Sequence, residues 1–218
     1  MKNKWNDIYK NEKETYLYYD ISEPHEDMEK IILEIKRKNK SAKVLDLGCG
    51  VGRNTIPLIE AGFDVFAFDS APEGIKILRR KLTERDKKAD LKILDFKGEL
   101  PYESNFFDAI ISVQVLQHGY ESDIKNSIKE INRILKKNGI IFITLCGRYD
   151  AKGKERYTLV KTAKKVANNT YIPTIGSEIG MPHFIYNKRL IRKHFKNFNI
   201  YDLWKDERNY YCFLGCKK

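Results

Sequence analysis

The sequence predicts an α/β domain, doubly wound, with a mostly parallel seven-stranded sheet that ends in an antiparallel C-terminal hairpin strand. Three observations carry this expectation. Short apolar runs alternate with amphipathic stretches from residue 43 onward. The first apolar run leads directly into Gly48, Gly50 and Gly52 at the start of a helical stretch. A length of 218 residues, 42% of them hydrophobic, is enough for one ordinary core.

Taken in order, Trp5, Ile8 and Tyr9 fall at helical spacing, and Met28, Ile31, Ile32 and Ile35 repeat it before a basic run at 36–40. These predict two helices forming an N-terminal cap over 1–40. A strand at 43–46 ends in Asp46, and the glycine turn then opens a helix over 53–61. A strand at 64–68, a helix from 71 to about 86 and a strand at 91–94 follow. A buried strand spans 107–113. The helix at 123–135 carries Ile124, Ile128, Ile131 and Leu135 on one face. Asn138 and Gly139 tolerate left-handed backbone and close that helix before a strand at 140–145.

Residues 147–186 break the alternation. They are rich in Lys, Asn, Gly and Pro, hold one candidate helix near 156–167, and read as a lid insertion. A helix at 187–195 and strands at 198–204 and 210–216 complete the chain, the last two joined as a hairpin across a polar turn. The expected organisation is a single domain over 1–218: cap 1–40, core 41–146, lid 147–186, and C-terminal helix and hairpin 187–218.

Composition narrows the function classes. There are 41 basic and 30 acidic residues, a formal charge of +11, but 30 of the cations are Lys and 11 are Arg. Readers of phosphates and bases depend on the bidentate arginine fork, so nucleic acid is the less favoured partner and a small molecule the favoured one. No apolar run approaches the roughly 18–20 residues that span a bilayer, and the N-terminus lacks an apolar signal core, so the expected setting is cytoplasmic with no membrane partner. Cys49, Cys146, Cys212 and Cys216 form no CxxC pair and no zinc-like spacing with the four histidines; reduced thiols and no metal site are expected. Cys212 and Cys216 lie an even number of residues apart in a strand and should share its inner face.

The chemistry concentrates in VLDLGCGVGRN at 44–54. A strand feeding closely spaced glycines and a helix lets backbone approach a ligand. Acids end three successive strands, Asp46, Asp69 and Asp95, which in a doubly wound sheet line one crevice near the topological switch point. An acid after the second strand suits a ribose diol and repels a 2′-phosphate. The spacing G-x-G-x-G differs from the dinucleotide pattern G-x-G-x-x-G.

With FDS at 68–70, LDF at 94–96 and LPYESNFFDAIISVQVLQH at 100–118, the chain resembles a Rossmann-like class I S-adenosylmethionine-dependent methyltransferase. The GRN ending and the following GFDVFAFD particularly resemble type 11 and tellurite-resistance-type domains. The resemblance covers about 40–146, and ILKKNG at 134–139 departs at Lys137 and Asn138 from the family's usual Leu-Lys-Pro-Gly-Gly turn. It implies S-adenosylmethionine as cofactor and S-adenosylhomocysteine as product. Asp46, Gly48, Cys49 and Gly50 would surround the methionine part, with Arg53 near its carboxylate. Asp69 would hold the ribose hydroxyls, beside Ser70 and Ala71. Asp95 and Phe96 would read the adenine edge, and Gln114 and Val115 would lie under the sulfonium end.

Methyl transfer from a sulfonium is an in-line displacement with an excellent leaving group, so the protein chiefly orients the nucleophile and excludes water. His183 in the lid is the first choice as general base, and His118 after the fourth strand the second. His25 could reach substrate from the cap, and His194 should face solvent. Trp5, Tyr9, Tyr16, Tyr18 and Tyr19 make an aromatic entrance segment, from which Trp5 or Tyr9 could cover the sulfonium cation. The favoured function is methylation of a small molecule. The alternatives are an RNA or protein methyltransferase using the basic surface, or a non-catalytic cofactor-binding protein.

Overall fold

A computed structural model of the protein describes residues 4–11 and 22–218; Tyr16, Tyr18 and Tyr19 lie outside the described residues. In chain order the elements are α1 (Lys4–Lys10), α2 (Met28–Lys38), β1 (Lys43–Leu47), α3 (Thr55–Glu60), β2 (Asp64–Asp69), α4 (Pro72–Thr83), β3 (Asp90–Ile93), β4 (Phe107–Ser112), α5 (Glu121–Ile134) and β5 (Leu135–Leu145). A π-helical turn (Tyr157–Lys161), β6 (Lys164–Ala167), β7 (Thr170–Ile172), β8 (His183–Phe184), α6 (Lys188–His194), β9 (Phe198–Lys205) and β10 (Tyr211–Lys217) follow.

The main sheet has seven strands in the order β3-β2-β1-β4-β5-β10-β9. β1, β2, β3, β4 and β5 pair in parallel, and β10 runs antiparallel between β5 and β9. The turn between β9 and β10 is too short for a crossover, so that pair can only be a hairpin. The predicted doubly wound sheet with one antiparallel C-terminal strand is therefore present. Its order reverses between β1 and β4, which sets the topological switch point at the carboxyl ends of those two strands.

Both sheet faces are covered, which explains the nearly continuous apolar runs of the central strands. Alternate residues serve alternate cores: Leu45 and Ile110 pack with Ile124, Ile128 and Ile131 of α5, whereas Val44, Ala109 and Ile111 pack with Ile31 and Ile35 of α2. The second helix thus departs from the expected cap. Its stripe Met28, Ile31 and Ile35 is buried on the sheet face opposite α5, and only α1 leans over the switch-point side.

Two other regions differ from expectation. α5 ends at Ile134, because Leu135 is already extended and pairs with Phe107; Asn138, at φ +61°, marks a kink inside β5 rather than the helix end. In the lid, the helix expected near 156–167 is one π-helical turn, and β6, β7 and β8 form a small antiparallel sheet. The signal for that sheet is Asn168-Asn169, with Asn169 at φ +58°, a residue type that tolerates the left-handed turn of a hairpin. Cys212 and Cys216 are both buried on the inner side of β10, and all four thiols are free. No helix among the described residues is long and apolar enough to cross a membrane.

Candidate functional site

The turn after β1 needs glycine. Gly48 has φ +75° and Gly52 has φ +87°; a Cβ would stand 2.3 Å from Val115 Cγ2 at the first and 2.2 Å from Leu78 Cδ1 at the second. The backbone N–H groups of Gly48 and Cys49 both donate to Phe68 O at 2.9 Å, which ties the turn to the end of β2.

The three acids occupy different environments. Asp46 is buried beneath the turn, where its Oδ2 accepts the Thr55 hydroxyl at 2.6 Å. Burial pushes its carboxyl up to about 7, against the lowering effect of that hydrogen bond. Asp69 accepts the Gly50 N–H on Oδ2 at 2.9 Å and the Ala71 N–H on Oδ1 at 2.8 Å, so it fastens the glycine turn to the start of α4. Burial raises it to about 6 although these backbone donors oppose the rise. Asp95 is exposed, and its Oδ1 accepts the Lys97 N–H at 3.0 Å.

Gln114 follows β4 with φ +62°; its N–H donates to Thr144 Oγ1 at 2.8 Å and its side-chain oxygen accepts from Arg53 Nη2 at 3.2 Å. Arg53 is therefore tied across the turn to the end of β4. Cys49 is a buried thiol whose pKa is driven well above the ordinary value by burial, with Asp46 and Asp69 adding to the rise; it stays protonated.

These residues border one cavity of about 1370 Å³ at the switch point. Its walls include Gly48, Cys49, Gly50, Arg53, Asp69, Ser70, Asp95, Phe96, Gln114 and Val115; Asp46 and Ala71 lie behind the wall. Trp5 and Tyr9 of α1 line it, as do Glu178, Met181, Pro182 and His183 of the lid. Trp5 meets the His118 ring edge-on at 5.2 Å between centroids, and Tyr9 packs over Gly50 and Gly74.

His118 and His183, the candidate bases, are brought together at the lid end of the cavity with ring centroids 4.8 Å apart. Between them stands Glu178, which sequence reasoning missed: Oε2 is 3.0 Å from His183 Nε2 and Oε1 is 3.8 Å from His118 Nε2. Burial alone would raise Glu178, but attraction to the two imidazoles outweighs it and holds the carboxyl far below the usual range. Burial lowers His118, which Glu178 partly offsets. The only local trace of Glu178 is its place as the lone acid in the glycine-flanked segment Gly176–Gly180.

The other two histidines depart from expectation. His25 lies outside the cavity, packed edge-on against Phe142 with Nε2 3.4 Å from Asp206 Oδ2. His194 was expected to face solvent; its ring is 1% exposed and bridges Tyr186 Oη and Glu121 Oε1 at 3.2 Å each, because it falls on the inner face of α6 beside Ile191 and Phe195.

Comparison with known proteins gives this geometry a context. Residues 45–143 match a family model described as a methyltransferase domain. A ubiquinone biosynthesis O-methyltransferase of Pelagibacter ubique is 33% identical over 104 residues, which is 48% of this chain and 42% of that protein. The chain thus spans less than half the length of the curated relatives it matches. Among solved structures, the PH0226 protein of Pyrococcus horikoshii superposes with a TM-score of 0.69 at 23% identity, covering 94% of this chain and 99% of that one. A 1,6-didemethyltoxoflavin-N1-methyltransferase of Burkholderia thailandensis, solved with its didemethyltoxoflavin and S-adenosylhomocysteine, superposes with a TM-score of 0.66 at 16% identity, over 97% and 84% of the two chains.

S-adenosylmethionine is the cofactor of this family, and the donor set fits it. The Asp69 carboxylate takes backbone N–H groups of Gly50, Ser70 and Ala71 and borders the cavity, where it can also accept a ribose hydroxyl. At Gly48 and Gly50 the turn brings bare backbone to the cavity wall, which suits the methionine part. Residues 45–143, with their reversed strand order, glycine turn and buried acid at the end of β2, are similar in sequence and fold to an S-adenosylmethionine-dependent methyltransferase domain.

Proposed function

We propose that the protein methylates a small-molecule acceptor held in the cavity between the glycine turn and the lid. When bound, S-adenosylmethionine supplies a methyl group on a sulfonium, ready for in-line displacement. In this reading Asp69 holds the ribose hydroxyls, beside Ser70 and Ala71. Gly48, Cys49 and Gly50 contact the methionine part, with Asp46 supporting the turn from below through Thr55. Arg53, steadied by Gln114, faces the cofactor carboxylate. Asp95 and Phe96 border the adenine, and Gln114 and Val115 the sulfonium end.

The observation that carries the small-molecule reading is the cavity itself. At about 1370 Å³ it exceeds the roughly 300–1,000 Å³ of single-ligand pockets, so it accommodates two ligands side by side. Its far end is walled by lid side chains, including the buried His183 and its neighbour Glu178. His118 and His183 are the chain's candidates for holding or accepting the acceptor's proton. The Pelagibacter relative is an O-methyltransferase by name, which makes hydroxyl acceptors the first class to try.

The test is calorimetric titration of S-adenosylhomocysteine into the intact protein and into Asp69→Ala, followed by methyl-transfer assays on a panel of small phenols, catechols and thiols. Micromolar binding weakened at least tenfold by the substitution, with turnover of one acceptor class, supports the proposal. Failure of folded protein to bind either form of the cofactor overturns it. The +11 charge favours a second reading, methylation of RNA; turnover of RNA rather than small molecules, with binding that falls steeply with salt, would put it first.

A further inference from the structure

His118, Glu178 and His183 converge as three lone-pair donors. The Nδ1 atom of His118 faces Val115 O at 3.0 Å, and the Nδ1 atom of His183 faces Met181 O at 2.9 Å. A carbonyl oxygen only accepts, so each Nδ1 carries a ring hydrogen, and Nε2 is the ring atom left to face the cavity group opposite. Both Nε2 atoms point to the Glu178 carboxylate, at 3.8 and 3.0 Å, and the three donor groups lie within 4.8 Å of one another. His183 Nε2 is fully buried and makes no hydrogen bond, its approach to Glu178 being off the line that a bond requires.

A buried carboxylate facing two ring nitrogens at this range calls for positive charge among them. A proton serves one Nε2 and leaves the other opposed to the carboxylate. Two imidazolium rings in edge contact repel each other in a buried setting. A divalent ion satisfies all three groups at once. Donors bound at about 2.0–2.2 Å stand about 3–4 Å from one another around a metal, which the two separations from Glu178, 3.0 and 3.8 Å, match. A backbone carbonyl on the second ring nitrogen of each histidine is also the usual outer support of a metal-bound imidazole.

We propose that His118, Glu178 and His183 form a binding site for a borderline first-row dication of the Zn²⁺ class. The two-imidazole, one-carboxylate set suits such an ion better than Mg²⁺ or Ca²⁺, which take oxygen ligands. Among the described residues three protein groups contribute, and all three border the cavity, so a coordination position is left toward its interior. There the ion would hold a ligand with an anionic oxygen or sulfur donor. That this ligand is the methyl acceptor rests on the methyl-transfer reading; the metal site itself does not.

The test uses Zn²⁺ alone as the probe, titrated calorimetrically into the chelator-stripped full chain, with Co²⁺ absorption as a second readout of nitrogen and oxygen coordination. One ion should bind per chain, and Glu178→Gln and His118→Asn should each weaken it at least tenfold while S-adenosylhomocysteine binding and thermal unfolding show the variants folded. Stripped protein that binds S-adenosylhomocysteine but no stoichiometric Zn²⁺ would overturn the metal site and leave the cofactor reading standing. Zn²⁺ binding unchanged in Glu178→Gln but lost in His25→Asn would also overturn it, by assigning the ion to the separate His25, Asp27 and Cys212 cluster.

Discussion

Val115 packs against the face of Gly48 so closely that a Cβ there would stand 2.3 Å from its Cγ2, while the Val115 carbonyl accepts the Nδ1–H of His118 at 3.0 Å. One residue therefore joins the glycine turn to the histidine pair at the lid. The hinge of this connection is the backbone after β4, where Gln114 is left-handed and is pinned to β5 through Thr144.

Gly48→Ala follows from that contact. The new methyl group meets both branches of Val115 in a conformation that L residues rarely adopt, and relief requires moving the turn or the residues after β4. The expected cost is about 1–3 kcal/mol of stability. Affinity for S-adenosylhomocysteine should fall at least tenfold. Urea denaturation and calorimetry measure the two; an alanine variant that matches the parent in both would show that Val115 moves aside freely.

Asp46 sets a pH dependence of stability. Its carboxyl titrates near 7 in the folded chain, pushed up by burial, against about 3.8 when unfolded. Between these values the folded state binds the extra proton, so this group's contribution falls as pH rises and the penalty is complete above about 7. Asp46→Asn keeps an oxygen to accept the Thr55 hydroxyl and removes the charge. At pH 8 the ligand-free variant should be more stable than the parent by up to about 4 kcal/mol, an advantage that vanishes near pH 4. Parallel stability profiles of the two proteins from pH 4 to 8 would count against a buried charge at this position.

How far the sequence could be read depended on the range of the contacts involved. β1, the glycine turn and the acids at 46, 69 and 95 were visible because each is specified by its immediate neighbours. The same holds for α6, whose start is fixed by Asn187 accepting the Leu190 N–H. Glu178 was not visible, since its significance comes from His118, sixty residues earlier, and no periodicity encodes that approach. The packing side of α2 was equally hidden: an apolar stripe of Met28, Ile31 and Ile35 announces a buried face without naming the surface that buries it. The lid sheet was missed for a local reason, because the exposed Lys164–Ala167 strand lacks an apolar alternation and only the Asn168-Asn169 turn betrays it.

Asp69 makes cofactor affinity depend on pH in the opposite sense to the stability effect of Asp46. The group titrates near 6 in the folded chain, raised by burial. Its ionised form offers both oxygens to hydroxyl donors beyond the Gly50 and Ala71 N–H groups; protonation converts one oxygen into a donor. Affinity for S-adenosylhomocysteine should therefore rise with pH through about 6. Asp69→Asn should bind at least tenfold more weakly at pH 7.5 and show little change between pH 5 and 7.5. A parent protein with flat affinity over that range would remove Asp69 from contact with the ribose.

The aromatic residues of α1 can be separated into packing and charge recognition by comparing two ligands of nearly one shape. Tyr9 lies on the glycine turn and Trp5 on His118, and both border the cavity. S-adenosylmethionine carries a sulfonium charge and S-adenosylhomocysteine a neutral thioether. An aromatic face over the sulfur favours the charged ligand by about 0.5–2 kcal/mol, or about 2- to 30-fold in affinity. Trp5→Leu and Tyr9→Leu keep an apolar side chain and remove the π face. The residue that covers the sulfonium should lower the ratio of S-adenosylmethionine to S-adenosylhomocysteine affinity by that factor, whereas a residue that only packs should weaken both ligands equally. If neither substitution changes the ratio, α1 closes the cavity through apolar burial alone.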